Sequence, residues 1–492
     1  MNSNAVVSIG ILAVFMVGAI VLGLLSLRGR DRANLAEWSI GGRSLGVVLI
    51  FVLMAGETYT SFSYLGAAGW AYDYGMPVFY LPAYLAIGFA VGYVIGPVLW
   101  QYAHRNNLHN ITDITAYRFN SPWFGAAVAI LTTIFLLPYI QLQITGMGVV
   151  VSTISYGTIG LGAGYLIAFV VTEAFIISSG LRGSAWVSIL KDSLVIVTLL
   201  AVFVYVPVHY FGGIGPMLDR LVAERPQWLV LPGQGKESLG LLWFATTGLL
   251  NGVVYTIFPT TVAGYLGAKD PGVLRRNAII MPFYQVLLFV PILLGLAALF
   301  VVPGLSDSNL AMFELVVDSM PPWMVGLVGV AGALSSIVPM AVFMLVIGTM
   351  WGRSVLGVHP RTAPHQKRLS QLVTFLVGLL ALLFTFISPS TLVQLSVLSY
   401  QGLAQLLPVV LISLLWKRMT LAGAASGLAV GVVVVTALVS TGNDPWLGIN
   451  AGLIGLVANV TVNIIVSLVR PATTPAERLA VDELAEAQPA RN

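Results

Sequence analysis

Apolar runs long enough to cross the roughly 30 Å hydrocarbon layer as helices recur at 5-27, 45-70, 76-100, 123-152, 161-180, 185-207, 239-265, 277-302, 322-350, 369-387, 390-414, 420-440 and 446-469. Short polar connections separate them. The pattern predicts an all-α integral membrane protein with about 13 transmembrane helices. Residues 1-470 read as one transmembrane domain: a leading helix at 5-27, five spans over 45-207, five more over 239-414 and two trailing helices at 420-469. The Pro/Ala/Glu-rich segment 471-492 reads as a disordered cytoplasmic tail.

The connections alternate in charge. Arg28, Arg30, Arg32 and Arg43 follow the first span, and every second connection after it is also basic: Arg105 with Arg118, Arg182, Lys269 with Arg275 and Arg276, Arg353 with Arg361, Lys367 and Arg368, Lys417 with Arg418, and Arg470. Basic connections stay in the cytoplasm, so the N-terminus is expected outside and the C-terminus inside. The alternate connections carry Asp73, Asp307, Glu314, Asp318 and Asp444. Two of them, Val208 to Ser238 and Pro303 to Pro322, have room for a short surface helix. The first span lacks a basic leader and a small-residue cleavage site, so it reads as a retained helix.

Composition agrees: 58% of residues are hydrophobic and 9% charged, against about 25% charged in soluble domains. The net charge of +4 lies in the loops, so it does not point to nucleic acid. With no cysteine, disulfides and thiolate metal sites are excluded.

The second span contains "LMAGETYTSFSYLGAAG" from Leu53, which sets Glu57 about 16 Å along a helix from Gly46. A carboxylate at that depth must face the protein interior or a wet cavity. Gly56 beside this acid and Thr58 is where a helix can unwind, and unwound backbone is tolerated in a membrane where it lines a site. The seventh span has a comparable interruption, with Thr246, Thr247, Gly248, Asn251, Gly252 and Tyr255 near its middle and Pro259 beyond. Paired broken helices in corresponding halves point to an inverted-repeat secondary transporter with its site at the midplane. Asn251, Gln141 and Gln143 read either as ligand contacts or as interhelical ties.

The segments "WSIGGRSLG" (Trp38 to Gly46), "ITDITAYRFN" (Ile111 to Asn120), "SSIVP" (from Ser335), "GETYT" and "FPTTVAGYLGAKDPGVLRRNAIIMPFY" (Phe258 to Tyr284) resemble the sodium:solute symporter family, and within it the bacterial monocarboxylate permeases. The resemblance implies a 5+5 inverted-repeat, LeuT-like core with one leading and two trailing helices. It also implies a sodium site on Gly56, Tyr59, Gly332, Ser335 and Ser336, whose carbonyl and hydroxyl oxygens suit a hard cation. Hydroxyls that merely cap local carbonyls are the alternative for Ser335 and Ser336. The chain departs from sugar and proline relatives, which carry an aspartate near the cation path where this chain has Thr58 and Ser188. Lys191 and Asp192 lie about a turn beyond Ser188. Lys191 is expected to snorkel to the cytoplasmic surface or to pair with Asp192 or Glu173; a coupling role in place of sodium is the other reading.

These features predict a symporter of the bacterial inner membrane that couples inward sodium flux to uptake of a small organic solute, with a monocarboxylate such as lactate, pyruvate, propionate or acetate favoured. Sodium-coupled alanine or proline uptake and proton-coupled uptake through Lys191 are the alternatives. Glu57, Thr60, Gln141, Asn251 and Tyr255 are the candidate solute contacts. Other classes lack their signatures. There is no repeated carbonyl filter for a channel, no H-E-x-x-H zinc motif among His104, His109, His209, His359 and His365, and no P-loop. No cofactor, nucleic acid or obligate protein partner is expected; the partners are the solute, sodium and membrane lipid.

Overall fold

The computed structural model describes residues 3–26, 41–234, 237–356, 363–388, 390 and 392–470. Residues 471–492, Arg28, Arg30, Arg32, Trp38 and Arg361 lie outside the described residues. The chain runs through α1 (Ser3–Leu25), α2 (Val47–Thr58), α3 (Phe62–Tyr74), α4 (Met76–Arg105), α5 (Ile111–Arg118), α6 (Pro122–Ile154), α7 (Leu161–Ile176), α8 (Gly180–Phe211) and α9 (Ile214–Glu224). It continues through α10 (Leu241–Tyr255), α11 (Pro259–Gly267), α12 (Pro271–Val301), α13 (Ala311–Ser319), α14 (Pro322–Val355), α15 (Ala363–Ile387), α16 (Leu392–Leu415), α17 (Leu421–Ser440) and α18 (Ala451–Val469). The two long connections carry α9 and α13, the short helices for which their lengths leave room.

Among the described residues, 11 helices or joined helices are long and apolar enough to cross a membrane, and α2 with α3, bent by 53° at their junction, brings the number to 12. The one expected span beyond these, the fifth at 161-180, corresponds to α7, a shorter apolar helix. It runs on into α8 through Gly180, whose φ of 62° and ψ of −168° no side-chain-bearing residue adopts cheaply. Gly180 thereby moves the start of the next span to five residues before the expected 185.

The basic connections meet at one end of the bundle. Arg43 donates to the Leu108 carbonyl at 2.8 Å, Arg182 to Ser44 Oγ at 2.8 Å, and buried Arg118 to the Ser413 carbonyl at 2.8 Å. Arg353 pairs with Asp113 at 2.8 Å. The core sits around α14, whose apolar window is 100% buried and which packs against α1, α6 and α8. At the periphery α17 and α18 pack on each other through Gly423 and Gly427, where an added Cβ would meet Ser467 and Asn459. Small residues that let backbones approach take the place of a hydrophobic drive in lipid.

Candidate functional site

The helix that begins at Val47 ends at Thr58, because Tyr59 takes φ −93° and ψ 80° and the chain resumes as α3 after Ser61. The carbonyls of the last turn of α2 lose their partners at such a break. Thr60 Oγ1 accepts from the Phe62 amide at 3.2 Å, and Ser63 Oγ donates to the Thr58 carbonyl. Ser61 is bound from α6, where Gln143 Oε1 accepts from its hydroxyl at 3.0 Å and from its amide at 3.3 Å. The Ser61 hydroxyl also lies 2.6 Å from that of Ser336 on α14. Gln285 Nε2 donates to Thr58 Oγ1 at 2.9 Å.

Two further carbonyls of the break receive a cation from the protein itself. Lys191, fully buried on α8, donates from Nζ to the Gly56 carbonyl at 3.1 Å and to the Tyr59 carbonyl at 2.9 Å. Its ammonium also lies 3.0 Å from Asp192 Oδ1. Gly56 is required here by close approach: a Cβ on it would stand 2.8 Å from Ser188 Oγ and 3.7 Å from Lys191 Nζ.

This arrangement corrects the expectation that Lys191 snorkels. Because α8 starts at Gly180, Lys191 lies eleven residues in, about 16 Å along the helix, level with Glu57. It reaches the break instead of the surface and pairs with Asp192, not Glu173. Of the five residues expected to hold sodium, Gly56 and Tyr59 present their carbonyls to Lys191. Ser336 Oγ donates to the Gly332 carbonyl at 3.1 Å, which is the local cap of the alternative reading. The buried Ser335 hydroxyl has no hydrogen-bond partner. The oxygen types suit sodium, yet the two break carbonyls already hold an ammonium.

Glu57, about 100° around the helix from Gly56, points to another neighbour. Its Oε2 accepts from Thr261 Oγ1 on α11 at 3.2 Å, while Oε1 is buried without a hydrogen bond. One bond thus joins the two broken spans, since α10 and α11 are themselves separated at Thr256–Phe258. Asn251 on α10 is fully buried with neither its amide oxygen nor its nitrogen bonded. Tyr255 packs its ring against Phe89, with centroids 5.3 Å apart, and against Gly88. Gln141 is not brought to the break: its amide donates to the Phe384 and Ser388 carbonyls at the end of α15, at 3.3 and 2.8 Å. Two residues along a helix is about 200° around it, so Gln143 takes the face toward Ser61 that Gln141 leaves.

Aromatic rings connect the second break to a cavity of about 250 Å³ lined by Trp70, Trp243, Gln401 and Asp444. Trp70 packs on Trp243 at 5.6 Å, Trp243 on Tyr80 at 5.2 Å, and Tyr80 on Tyr84 at 6.0 Å. Tyr84 meets Tyr400 at 5.5 Å, and Tyr400 meets Phe258 at 4.9 Å, at the start of α11. Gln143, like Gln141, reads from sequence as a ligand contact or an interhelical tie, and in the structure it ties α6 to Ser61. Sequence alone does not point to the aromatic column, nor to Ser61 and Thr261. Their type, small polar or aromatic within a span, carries no signal of which face they take.

A buried polar site between two interrupted helices in a many-spanning bundle is the architecture of a secondary transporter, and comparison with known proteins agrees. The model of the sodium:solute symporter family matches residues 38–431. An uncharacterized symporter of Bacillus subtilis, YhjB, is 36% identical over 99% of this chain and 100% of its own length. A monocarboxylate transport permease protein of Rhizobium johnstonii is 26% identical over 94% of this chain and 96% of its own. The fold is shared with a Na⁺-coupled sialic acid symporter solved in a substrate-bound, outward-open state. Its TM-score is 0.77 at 14% identity, over 95% of this chain and 98% of that one. The chain therefore belongs to the sodium:solute symporter family, as a multi-pass secondary transporter of the bacterial inner membrane and not an enzyme.

Proposed function

We propose that this protein couples inward sodium flux to uptake of a small monocarboxylate, with the solute held between the two helix breaks. The observation that carries the reading is the unspent hydrogen-bonding capacity buried there, above all the bare amide of Asn251. Buried polar groups are bonded unless something else completes them, and an amide NH₂ suits a carboxylate oxygen. The 5+5 repeat, with 45-207 and 239-414 as its halves, and the outside-to-inside orientation of the termini belong to the same proposal. Glu57, Thr60, Asn251 and Tyr255 are its solute contacts; Gln141 acts as a tie to α15. Similarity to a relative named for monocarboxylate transport supports the solute class. Sodium is supported by the family and by the oxygen-only character of Gly56, Tyr59, Gly332, Ser335 and Ser336.

The test is uptake of labelled lactate, pyruvate, propionate, acetate, alanine and proline into proteoliposomes, with sodium and pH gradients imposed separately. Sodium-stimulated accumulation of the monocarboxylates, in preference to the two amino acids, is expected. Accumulation driven equally well by an inward proton gradient with sodium absent overturns the sodium assignment. Uptake confined to alanine or proline overturns the solute class.

A further inference from the structure

The break in the first core span presents one set of oxygens, and one cation of the protein's own already sits in it. Lys191 has three ammonium protons and no acceptor. The Gly56 carbonyl at 3.1 Å, the Tyr59 carbonyl at 2.9 Å and Asp192 Oδ1 at 3.0 Å surround them. From α14 the Ser336 hydroxyl comes to 2.6 Å from that of Ser61, two residues beyond Tyr59, and the hydroxyl of its neighbour Ser335 is buried without a hydrogen bond. All of these are oxygens, the donor set that a hard alkali cation also requires. Lys191 Nζ has no exposure to water, and Asp192 is the carboxylate beside it. A second positive charge within a few ångströms would therefore be repelled with little screening.

We propose that the Lys191 ammonium and a sodium ion are alternative occupants of a single seat formed by the Gly56 and Tyr59 carbonyls, so that Lys191 is a tethered competitor that leaves before sodium binds. The inference rests on the symport reading above and adds the residue that sets its sodium affinity. It differs from a purely structural role, in which Lys191 only saturates carbonyls freed by the break and its loss weakens the fold without creating a sodium site. An ammonium that fills the seat more than nine-tenths of the time weakens sodium binding by at least about tenfold, because only the vacated fraction is competent.

The experiment measures equilibrium binding of radioactive sodium to purified full-length protein in lipid nanodiscs, in choline buffer without solute. K191M and K191Q, which keep length but carry no charge, are expected to bind sodium at least about tenfold more tightly than wild type. S335A in the K191M background is expected to remove that gain. Equal sodium affinity in wild type and both variants overturns the proposal, as does absence of binding in folded, monodisperse variants. A second measurement on wild type alone is independent of whether the variants fold. Reductive methylation read by mass spectrometry should find Lys191 protected in choline and modified in saturating sodium; unchanged protection overturns the proposal. Sodium-driven uptake by the same wild-type preparation separates the two claims. Sodium stimulation with unaltered variants sinks the shared seat and leaves the symporter standing; sodium-indifferent uptake with a tightened K191M does the reverse.

Discussion

Gly56→Ala tests the packing that holds the cation seat together. The added Cβ would stand 2.8 Å from Ser188 Oγ, too close for both to remain. Ser188 is short and already donates to the Ser184 carbonyl at 2.9 Å. It must rotate and lose that bond, or α2 and α8 must separate and draw the Gly56 carbonyl from Lys191. Overpacking of this kind costs about 1–3 kcal/mol, against a gain of up to about 1 kcal/mol from replacing glycine inside a helix. The steric cost exceeds the gain in helix propensity, leaving a net loss of about 1 kcal/mol. Ser188→Gly in the same chain removes the obstructing atom, so the double variant should recover most of that loss. Reversible denaturation in mixed micelles, run on wild type, both single variants and the double, gives the coupling directly. A cycle additive to within about 0.5 kcal/mol would mean that the Gly56–Ser188 contact does not limit the approach of the two helices.

Three other outcomes follow from the same structure. Glu57→Gln keeps an acceptor for Thr261 and removes the negative charge, so monocarboxylate uptake should persist in it and fall sharply in Glu57→Ala; an amino-acid substrate needing a counter-ion would instead lose both, as proteoliposome uptake will show. Asp113→Asn removes the charge that holds Arg353 at 2.8 Å. With the arginine side chain 28% exposed, the loss should be about 1–2 kcal/mol, below the cost of breaking a fully buried pair. It should appear as an earlier transition in reversible denaturation of the variant; an unchanged transition would mean that the pair does not stabilise this end of the bundle. His109 is pushed down to about 3 by burial and by the charges of Arg353 and Arg43, whereas an unfolded histidine protonates near 6.5. Between those values the unfolded chain binds the extra proton, so wild type loses stability as pH falls through this window. His109→Gln should lack that component in pH-dependent melting, and an unchanged acid slope would remove His109 as its source.

The breaks are legible because an acid beside a glycine, as at Gly56–Glu57, and a polar cluster followed by a proline, as over Asn251–Pro259, are both costly in a continuous membrane helix. The depth of Lys191 is not legible. The run "SSGLRGS" before its span reads as a connection, which puts the start of the helix at 185, whereas Gly180 turns the chain within that run and starts the helix earlier. The difference of five residues moves the ammonium from the membrane edge to the break. The rotation of α6 is equally hidden: Gln141 and Gln143 are the same residue type two positions apart, and only packing decides that Gln143 meets Ser61 while Gln141 ties α15. The aromatic column draws on rings from separate helices, and no local pattern announces it.

In the proposed symport, movement of a monocarboxylate and of sodium is one event. Its most direct measurement is entry of radioactive sodium into proteoliposomes at clamped membrane potential, with and without external lactate or pyruvate. Either solute is expected to accelerate sodium entry, and Asn251→Ala to abolish the acceleration. Sodium entry indifferent to both solutes, in vesicles that nonetheless take them up, would contradict it.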